Sequence, residues 1–119
     1  MSKKITAASG IPDAPIMNIN NFGRQWEPGN YGKNFSGVLR VREALARSVN
    51  IISIRIFDLV GPEHILDFAS RMTKVPASRF DANPSIALGT SELTPLEMAT
   101  GYAVFANGGK DVIPFAIRY

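Results

Sequence analysis

The sequence predicts a mainly α-helical chain, and three local patterns support this prediction. Thr94-Pro95-Leu96-Glu97 has the residues of a capping box with proline in the first helical position, and Asn107-Gly108-Gly109 supplies a stop after it. Gly61-Pro62-Glu63 is typical of a chain break followed by a helix start. The run from Arg42 to Arg47 consists of good helix formers. The sequence predicts three or four helices, and the last should extend to about Ala106.

The segment from Ile5 to Gly37 is predicted to be irregular. Glycine and proline interrupt it repeatedly, and asparagines suited to turns are frequent in it. A stretch of this length without periodicity is unusual in a self-contained domain. We therefore expect it to lie across other parts of a larger protein.

The stretch from Ile51 to Val60 fits two structures. Ile52, Ile54 and Ile56 alternate with polar residues, as in a strand, whereas Ile52, Ile56 and Val60 also have helical spacing. β-Branched residues dominate the stretch, so the pattern by itself slightly favours a strand.

The residues near the end of the chain predict an edge strand from Val112 to Ile117. Pro114 lacks an amide hydrogen and would confine this strand to the edge of a sheet. The sequence offers it no obvious partner, which again indicates a piece of a larger sheet. The residues from Thr73 to Pro84 are predicted to form a loop, because prolines interrupt them.

Composition excludes several kinds of site. The chain is 45% hydrophobic and 19% charged, which is typical of a globular protein, and no run is long enough to span a membrane. It has no cysteine and a single histidine, His64, expected to be exposed, so neither a metal site nor a cofactor is predicted. Met1 to Lys4 is interpreted as an expression start without a targeting signal. Without Lys3 and Lys4 the formal charge of +3 falls close to +1, which weakens a nucleic-acid interpretation.

The triplet Ser48-Val49-Asn50 follows the run of helix formers. Side chains two residues apart diverge within a helix, but they can face the same side where a helix ends. A serine hydroxyl and an asparagine carboxamide could then face one cleft. From the triplet alone, the favoured interpretation is that these residues only separate two helices.

An ordered set of short motifs extends along nearly the whole chain, from about Ile5 to Ile117. In chain order they are Trp26-x-Pro28-x-Asn30-Tyr31, Phe35-x-Gly37, Arg42-x-Ala44-Leu45-x-x-Ser48-x-Asn50, Gly61, Ala87-Leu88-Gly89, Glu92-x-Thr94-Pro95-Leu96-Glu97-Met98-Ala99, Tyr102 and Phe105-Ala106-Asn107-Gly108-Gly109. As a set, they resemble the penicillin-binding proteins, and most closely the bifunctional class A group with a glycosyltransferase and a D,D-transpeptidase.

The resemblance implies that residues 5–119 are the central fragment of a transpeptidase domain. The implied fold is the helical subdomain of a serine β-lactamase/transpeptidase-like α+β domain, which makes Ile51 to Val60 helical. The family's active site has an S-x-x-K, an S-x-N and a K-[ST]-G motif. Ser48-Val49-Asn50 matches the second, and the chain contains neither of the others. The nucleophile is therefore expected to lie in the parent protein and not in this chain.

The resemblance also implies roles for individual residues. Ser48 would be a proton relay, and Asn50 would hydrogen-bond the catalytic lysine and the substrate amide. Trp26, Asn30 and Tyr31 are candidates for the substrate groove, although Trp26 is better explained as a loop anchor. Arg40 departs from the family, which usually has serine or threonine before the helix that ends at Ser48, and this leaves the start of that helix uncertain.

The parent would cross-link peptidoglycan peptide stems, bind β-lactams, and be anchored in the cytoplasmic membrane with its catalytic part on the periplasmic or extracytoplasmic face. The fragment alone is predicted to be inactive, and its exposed apolar faces predict self-association. The alternative is a small basic helical module that binds nucleic acid or serves as an interaction module. Its contact face would consist of Arg40, Arg42, Arg47 and Arg55, but no binding motif frames them.

Overall fold

Four α-helices and two small antiparallel sheets form the part of the chain that a computed structural model describes, which is residues 4–16, 18–19, 25–32 and 34–117. The strands are β1 (Gly10–Asp13), β2 (Asn18–Ile19), β3 (Gln25–Trp26) and β4 (Gly37–Arg40). The helices are α1 (Val41–Ala46), α2 (Asn50–Val60), α3 (Pro62–Thr73) and α4 (Pro95–Ala106), with short 3-10 helices at Ala77–Arg79 and Pro84–Leu88. The mainly helical prediction is confirmed at this level.

Strand β1 pairs with β4 within the segment that was predicted to be irregular. Gly10 lies opposite Arg40 and Asp13 lies opposite Gly37. Ile11 of β1 and its partner Leu39 of β4 are both buried. The prediction missed this sheet because each strand has only four residues and because the two are far apart in sequence.

Helix α1 begins without a side-chain cap, as the presence of Arg40 suggested. Its first amides are bound instead by main-chain oxygens of the turn before β1. The Val41 N–H donates to the Ser9 oxygen at 3.0 Å, and the Arg42 N–H donates to the Ala7 oxygen at 3.0 Å. These two amides therefore have partners even though Arg40 stands where the family usually has a serine or threonine cap.

Helix α2 resolves the ambiguous stretch, because Asn50–Val60 is helical throughout. Ile51, Ile52, Ile54 and Phe57 are all buried, so the helix is covered on more than one face. A helix buried in this way carries isoleucines at alternating as well as helical spacing, which explains why the pattern favoured a strand. Ile52 packs in the core cluster, whose other buried members are Ile11, Leu39, Ala44 and Val49.

Helix α4 has the bounds that its local pattern predicted. The Glu97 N–H donates to Thr94 Oγ1 at 3.3 Å, and the Thr94 N–H donates to Glu97 Oε2 at 2.8 Å, which completes the capping box. At the other end, Gly108 has a φ of 79° and the Gly109 N–H donates to the Val104 oxygen at 2.9 Å. This main-chain bond is the Schellman arrangement that glycine favours.

The predicted edge strand from Val112 to Ile117 is wrong for the described chain, which has no strand there. Ile113, Phe115 and Ile117 are largely exposed, and Pro114 has no amide to donate. Within the described residues, β1 pairs only with β4 and β2 pairs only with β3, so no strand pairs with this segment. Among the helices described, none has the length and apolar character needed to cross a membrane.

Glu97 also binds Arg79, which ties the capping box to the 3-10 helix at Ala77–Arg79. Arg79 Nη1 donates to Glu97 Oε1 at 2.6 Å. The hydrogen bond from Arg79, followed by that from the Thr94 amide, lowers the pKa of Glu97 below its ordinary value. The contacts with Arg79 and with the Thr94 amide therefore favour the ionised form of Glu97.

We expect Glu97→Gln to flatten the pH dependence of stability in acid. Because the pKa of Glu97 is lower in the folded than in the unfolded chain, its contribution is complete above the unfolded pKa of about 4.3 and is lost as the pH falls through the folded value. Urea denaturation of the chain between about pH 5 and pH 3, followed by circular dichroism, measures this. Glu92→Gln is the matched control, because Arg79 contacts Glu92 through its main-chain oxygen. If acidification lowered the free energy of unfolding equally in Glu97→Gln and in the original chain, the expectation would be contradicted.

Candidate functional site

Ser48-Val49-Asn50 lies at the junction of two helices, where its serine and asparagine can share a side. Helix α1 ends at Ala46, and α2 begins at Asn50. Val49 between them is extended, with φ −78° and ψ 108°, and is buried in the core cluster. Ser48 is exposed and Asn50 is half-buried, so the two polar residues lie towards the surface on either side of a buried valine.

The main chain at Ser48 is left-handed, with a φ of 54°. The Ser48 N–H donates to the Leu45 oxygen at 3.1 Å, and the Val49 N–H donates to the Ala44 oxygen at 2.9 Å. Both bonds belong to a Schellman motif, in which the residue at the position of Ser48 is usually glycine. A side chain in this conformation costs roughly 1–2 kcal/mol. The chain uses glycine at the equivalent position of α4, Gly108, but serine here.

The loop from Glu27 to Gly32 holds the first residues of α2. Asn50 Nδ2 donates to the Gly29 oxygen at 3.1 Å, and the Ile51 N–H donates to Asn30 Oδ1 at 3.2 Å. Val49, the N-cap residue, makes no side-chain cap bond, so Asn30 takes the place of a cap for this helix. Two adjacent loop residues therefore bind two adjacent residues of the helix.

A buried carboxyl anchors this loop. Asn30 Nδ2 donates to Asp13 Oδ1 at 2.7 Å and to the Asn34 oxygen at 3.0 Å. The Ser36 N–H donates to Asp13 Oδ2 at 2.8 Å, and Asp13 is only 1% exposed. Asp13 was not among the residues predicted from the sequence. Its partners are 17 and 23 residues away, so no local pattern could have identified it.

The three candidate groove residues lie in three different settings. Asn30 is bound into the network just described, whereas the side chain of the adjacent Tyr31 is fully exposed. The main chain of Trp26 pairs with Asn18 in the second sheet, and its side chain lies outside the described part of the structure. Their role in a groove stays a prediction.

The other candidates from the sequence are His64 and the four arginines of the nucleic-acid alternative. His64 is exposed near the start of α3, and the described residues contain no cluster of three histidine, cysteine, aspartate or glutamate side chains that could hold a metal ion. Arg55 Nη2 donates to the Ala14 oxygen at 3.1 Å, and Arg47 pairs with Glu43 at 2.7 Å. Arg42 Nε also donates to the Ala7 oxygen at 3.4 Å, so three of the four arginines of the nucleic-acid alternative have partners within the chain.

Comparison with known proteins shows which proteins this chain is similar to. No family model matches the chain. It is 38% identical over 95% of its length to penicillin-binding protein 1A of Pseudomonas aeruginosa, and 35% identical over 98% to penicillin-binding protein 1A of Escherichia coli. The chain spans only 14% of either relative. A crystal structure of penicillin-binding protein 1A from Haemophilus influenzae superposes with a TM-score of 0.88 and 35% identity, over 96% of this chain and 17% of that one. By sequence and by structure, the chain is similar over nearly its whole length to one segment of penicillin-binding protein 1A.

Proposed function

We propose that the chain is the central segment of the D,D-transpeptidase domain of a class A penicillin-binding protein, and that Ser48-Val49-Asn50 is the S-x-N motif of its active site. The observation that carries this proposal is the left-handed Ser48, which stands exposed between α1 and α2. Strained backbone of this kind accumulates at functional sites, because the surrounding structure must hold it in place.

The proposed role of Ser48 is proton transfer. In the parent, the serine of the S-x-x-K motif attacks the carbonyl carbon of a peptide stem or β-lactam, and its proton passes to the lysine of the same motif. The Ser48 hydroxyl would give its own proton to the departing nitrogen and accept one from that lysine, so that it ends unchanged. General acid–base assistance of this kind is worth roughly 10²–10⁴-fold in rate.

Asn50 would orient the lysine and bind the amide of the substrate. A carboxamide has two N–H donors and one acceptor oxygen. Its bond to the Gly29 oxygen uses one donor, which leaves a second hydrogen and Oδ1 for these partners. Trp26 and Tyr31 are the proposed groove residues, and Tyr31, whose side chain is exposed, belongs to the loop that holds Asn50.

The parent protein is proposed to cross-link peptidoglycan peptide stems, to bind β-lactams, and to be anchored in the membrane with this domain on the extracytoplasmic side. A glycosyltransferase in another domain is part of the same proposal. The isolated chain would expose apolar side chains that the rest of the domain covers, including Phe68, Tyr102 and Phe105 on α3 and α4. We expect the isolated chain to self-associate through these faces.

Ser48→Ala in the full-length protein should slow acylation by a β-lactam at least about tenfold, because the relay hydroxyl is lost. The second-order rate constant with a fluorescent penicillin is the relevant measurement. Ser53→Ala is a matched control, because the Ser53 hydroxyl donates to the Val49 oxygen within α2. A rate within about twofold of the original in Ser48→Ala would refute the relay role.

Ser48→Gly should make the chain more stable while the full-length protein loses acylation. Glycine adopts the left-handed conformation without the Cβ clash, so we expect the free energy of unfolding to rise by about 0.5–1 kcal/mol. Gly108→Ala is the converse control and should be destabilising, because no atom lies within 4 Å of the added Cβ and only the backbone conformation is strained. Urea denaturation measures both variants. A Ser48→Gly chain less stable than the original would contradict the strain at this position.

The chain by itself should not form a penicilloyl adduct, because it contains no S-x-x-K serine. Intact-mass spectrometry after incubation with benzylpenicillin tests this directly, with the full-length protein treated in parallel as the positive control. An adduct on the isolated chain would show that another residue is the nucleophile.

A further inference from the structure

We propose that Asn30 is a positioning residue, which sets the place of Asn50 and Ser48 by joining the start of α2 to the buried Asp13, and that it acts without contacting the substrate. This inference rests on the proposed function of the triplet. It assigns to Asn30 a role different from that of a groove residue.

The first step concerns the free amides at the start of α2. The first amides of a helix have no partner within the helix, and Val49 offers no side-chain cap. Asn30 Oδ1 accepts the Ile51 N–H at 3.2 Å. This bond fixes the first turn of α2 at the residue directly after Asn50.

The second step concerns the other end of the Asn30 side chain. Both hydrogens of Nδ2 are used, one on Asp13 Oδ1 at 2.7 Å and one on the Asn34 oxygen at 3.0 Å. With Oδ1 on Ile51, each polar atom of the carboxamide has a partner inside the protein. The group is therefore fixed in one orientation and is occupied by structural bonds.

The third step concerns the anchor. Asp13 lies on β1, which pairs with β4, and its side chain is 1% exposed. A buried carboxyl is costly unless donors satisfy it, and Asn30 and the Ser36 N–H are those donors here. The position of Asn30 is thus fixed by a buried residue of the sheet formed by β1 and β4.

The fourth step connects the anchor to the motif. Gly29, the neighbour of Asn30, accepts a hydrogen bond from Asn50 Nδ2 at 3.1 Å. A shift of Asn30 would therefore move Gly29 and, with it, the partner of the Asn50 side chain. Val49 links Asn50 directly to Ser48, so both polar groups of the triplet depend on this contact. A misplacement of about 1 Å at a reacting group can cost about 10²-fold in rate.

A double-mutant cycle in the full-length protein tests the inference. Asn30→Ala and Asn50→Ala should each slow acylation by a fluorescent penicillin at least about tenfold at a temperature where both variants are folded. If Asn30 acts through Asn50, the double variant should be within about twofold of the slower single variant. Asn34→Ala, four residues further along the chain, is the matched control, because Asn34 contributes only its main-chain oxygen, and it should leave the rate within about twofold of the original.

Three results would overturn the inference. A lower melting temperature for Asn30→Ala with unchanged acylation would show that Asn30 is only structural. Effects of the two single variants that multiply in the double variant would show that Asn30 contacts the substrate independently. Unchanged acylation in Asn50→Ala would remove the proposed function of Asn50, and this inference with it, whereas the first two results would leave that function standing.

An exchange of the two buried groups keeps the inference testable if Asn30→Ala does not fold. In Asp13→Asn with Asn30→Asp, the new carboxamide can donate to the new carboxylate and accept from the Ser36 N–H, and the carboxylate still accepts the Ile51 N–H, but it cannot donate to the Asn34 oxygen as Asn30 does. The exchanged variant should therefore recover only part of the rate: acylation should be at least about threefold faster than in Asn30→Asp alone, which should be at least about tenfold slower than the original. Equal rates in these two variants would overturn the inference.

Discussion

The buried carboxyl of Asp13 is the interaction on which the rest of the motif region depends. It binds the Asn30 carboxamide and the Ser36 amide, and Asn30 in turn binds the first turn of α2. These few polar contacts thereby join the sheet of β1 and β4, the loop from Glu27 to Gly32, and α2. Because unsatisfied buried polar groups are costly, removal of any member would disturb the others.

The exposed end of this arrangement is Ser48, which the fold holds in a conformation that favours glycine. The same chain ends α4 with Gly108 in the equivalent position, so serine at the end of α1 is not required by the helix stop itself. Val49 packs in the core and Asn50 binds the loop through the Gly29 oxygen, so the residues that follow Ser48 are held in place. Strain at Ser48 is therefore balanced by packing and hydrogen bonds nearby, as is common where a hydroxyl must be presented in a fixed place.

Local patterns predicted the elements whose stabilising contacts are local. The capping box and the glycine stop gave the bounds of α4, and Gly61-Pro62-Glu63 gave the start of α3. Pairing of β1 with β4 was missed because it depends on distant residues, and the strand predicted from Val112 to Ile117 was wrong because the described chain gives it no partner. For the site, the residues alone indicated that Ser48 only separates two helices, and the family resemblance implied its catalytic role. Neither the local patterns nor the family resemblance could identify Asp13, because only the fold shows that it is buried beside Asn30.

The central claim is that a fixed internal network presents Ser48 and Asn50 to the substrate. A crystal structure of the full-length protein acylated by a β-lactam tests it most directly. We expect a positive φ at Ser48, Asn50 within hydrogen-bond distance of the side-chain amide of the bound drug, and Asn30 still bound to Asp13 and to the Ile51 amide. An acylated structure in which Asn30 has left Asp13 to bind the drug, or in which Asn50 does not contact it, would contradict the account.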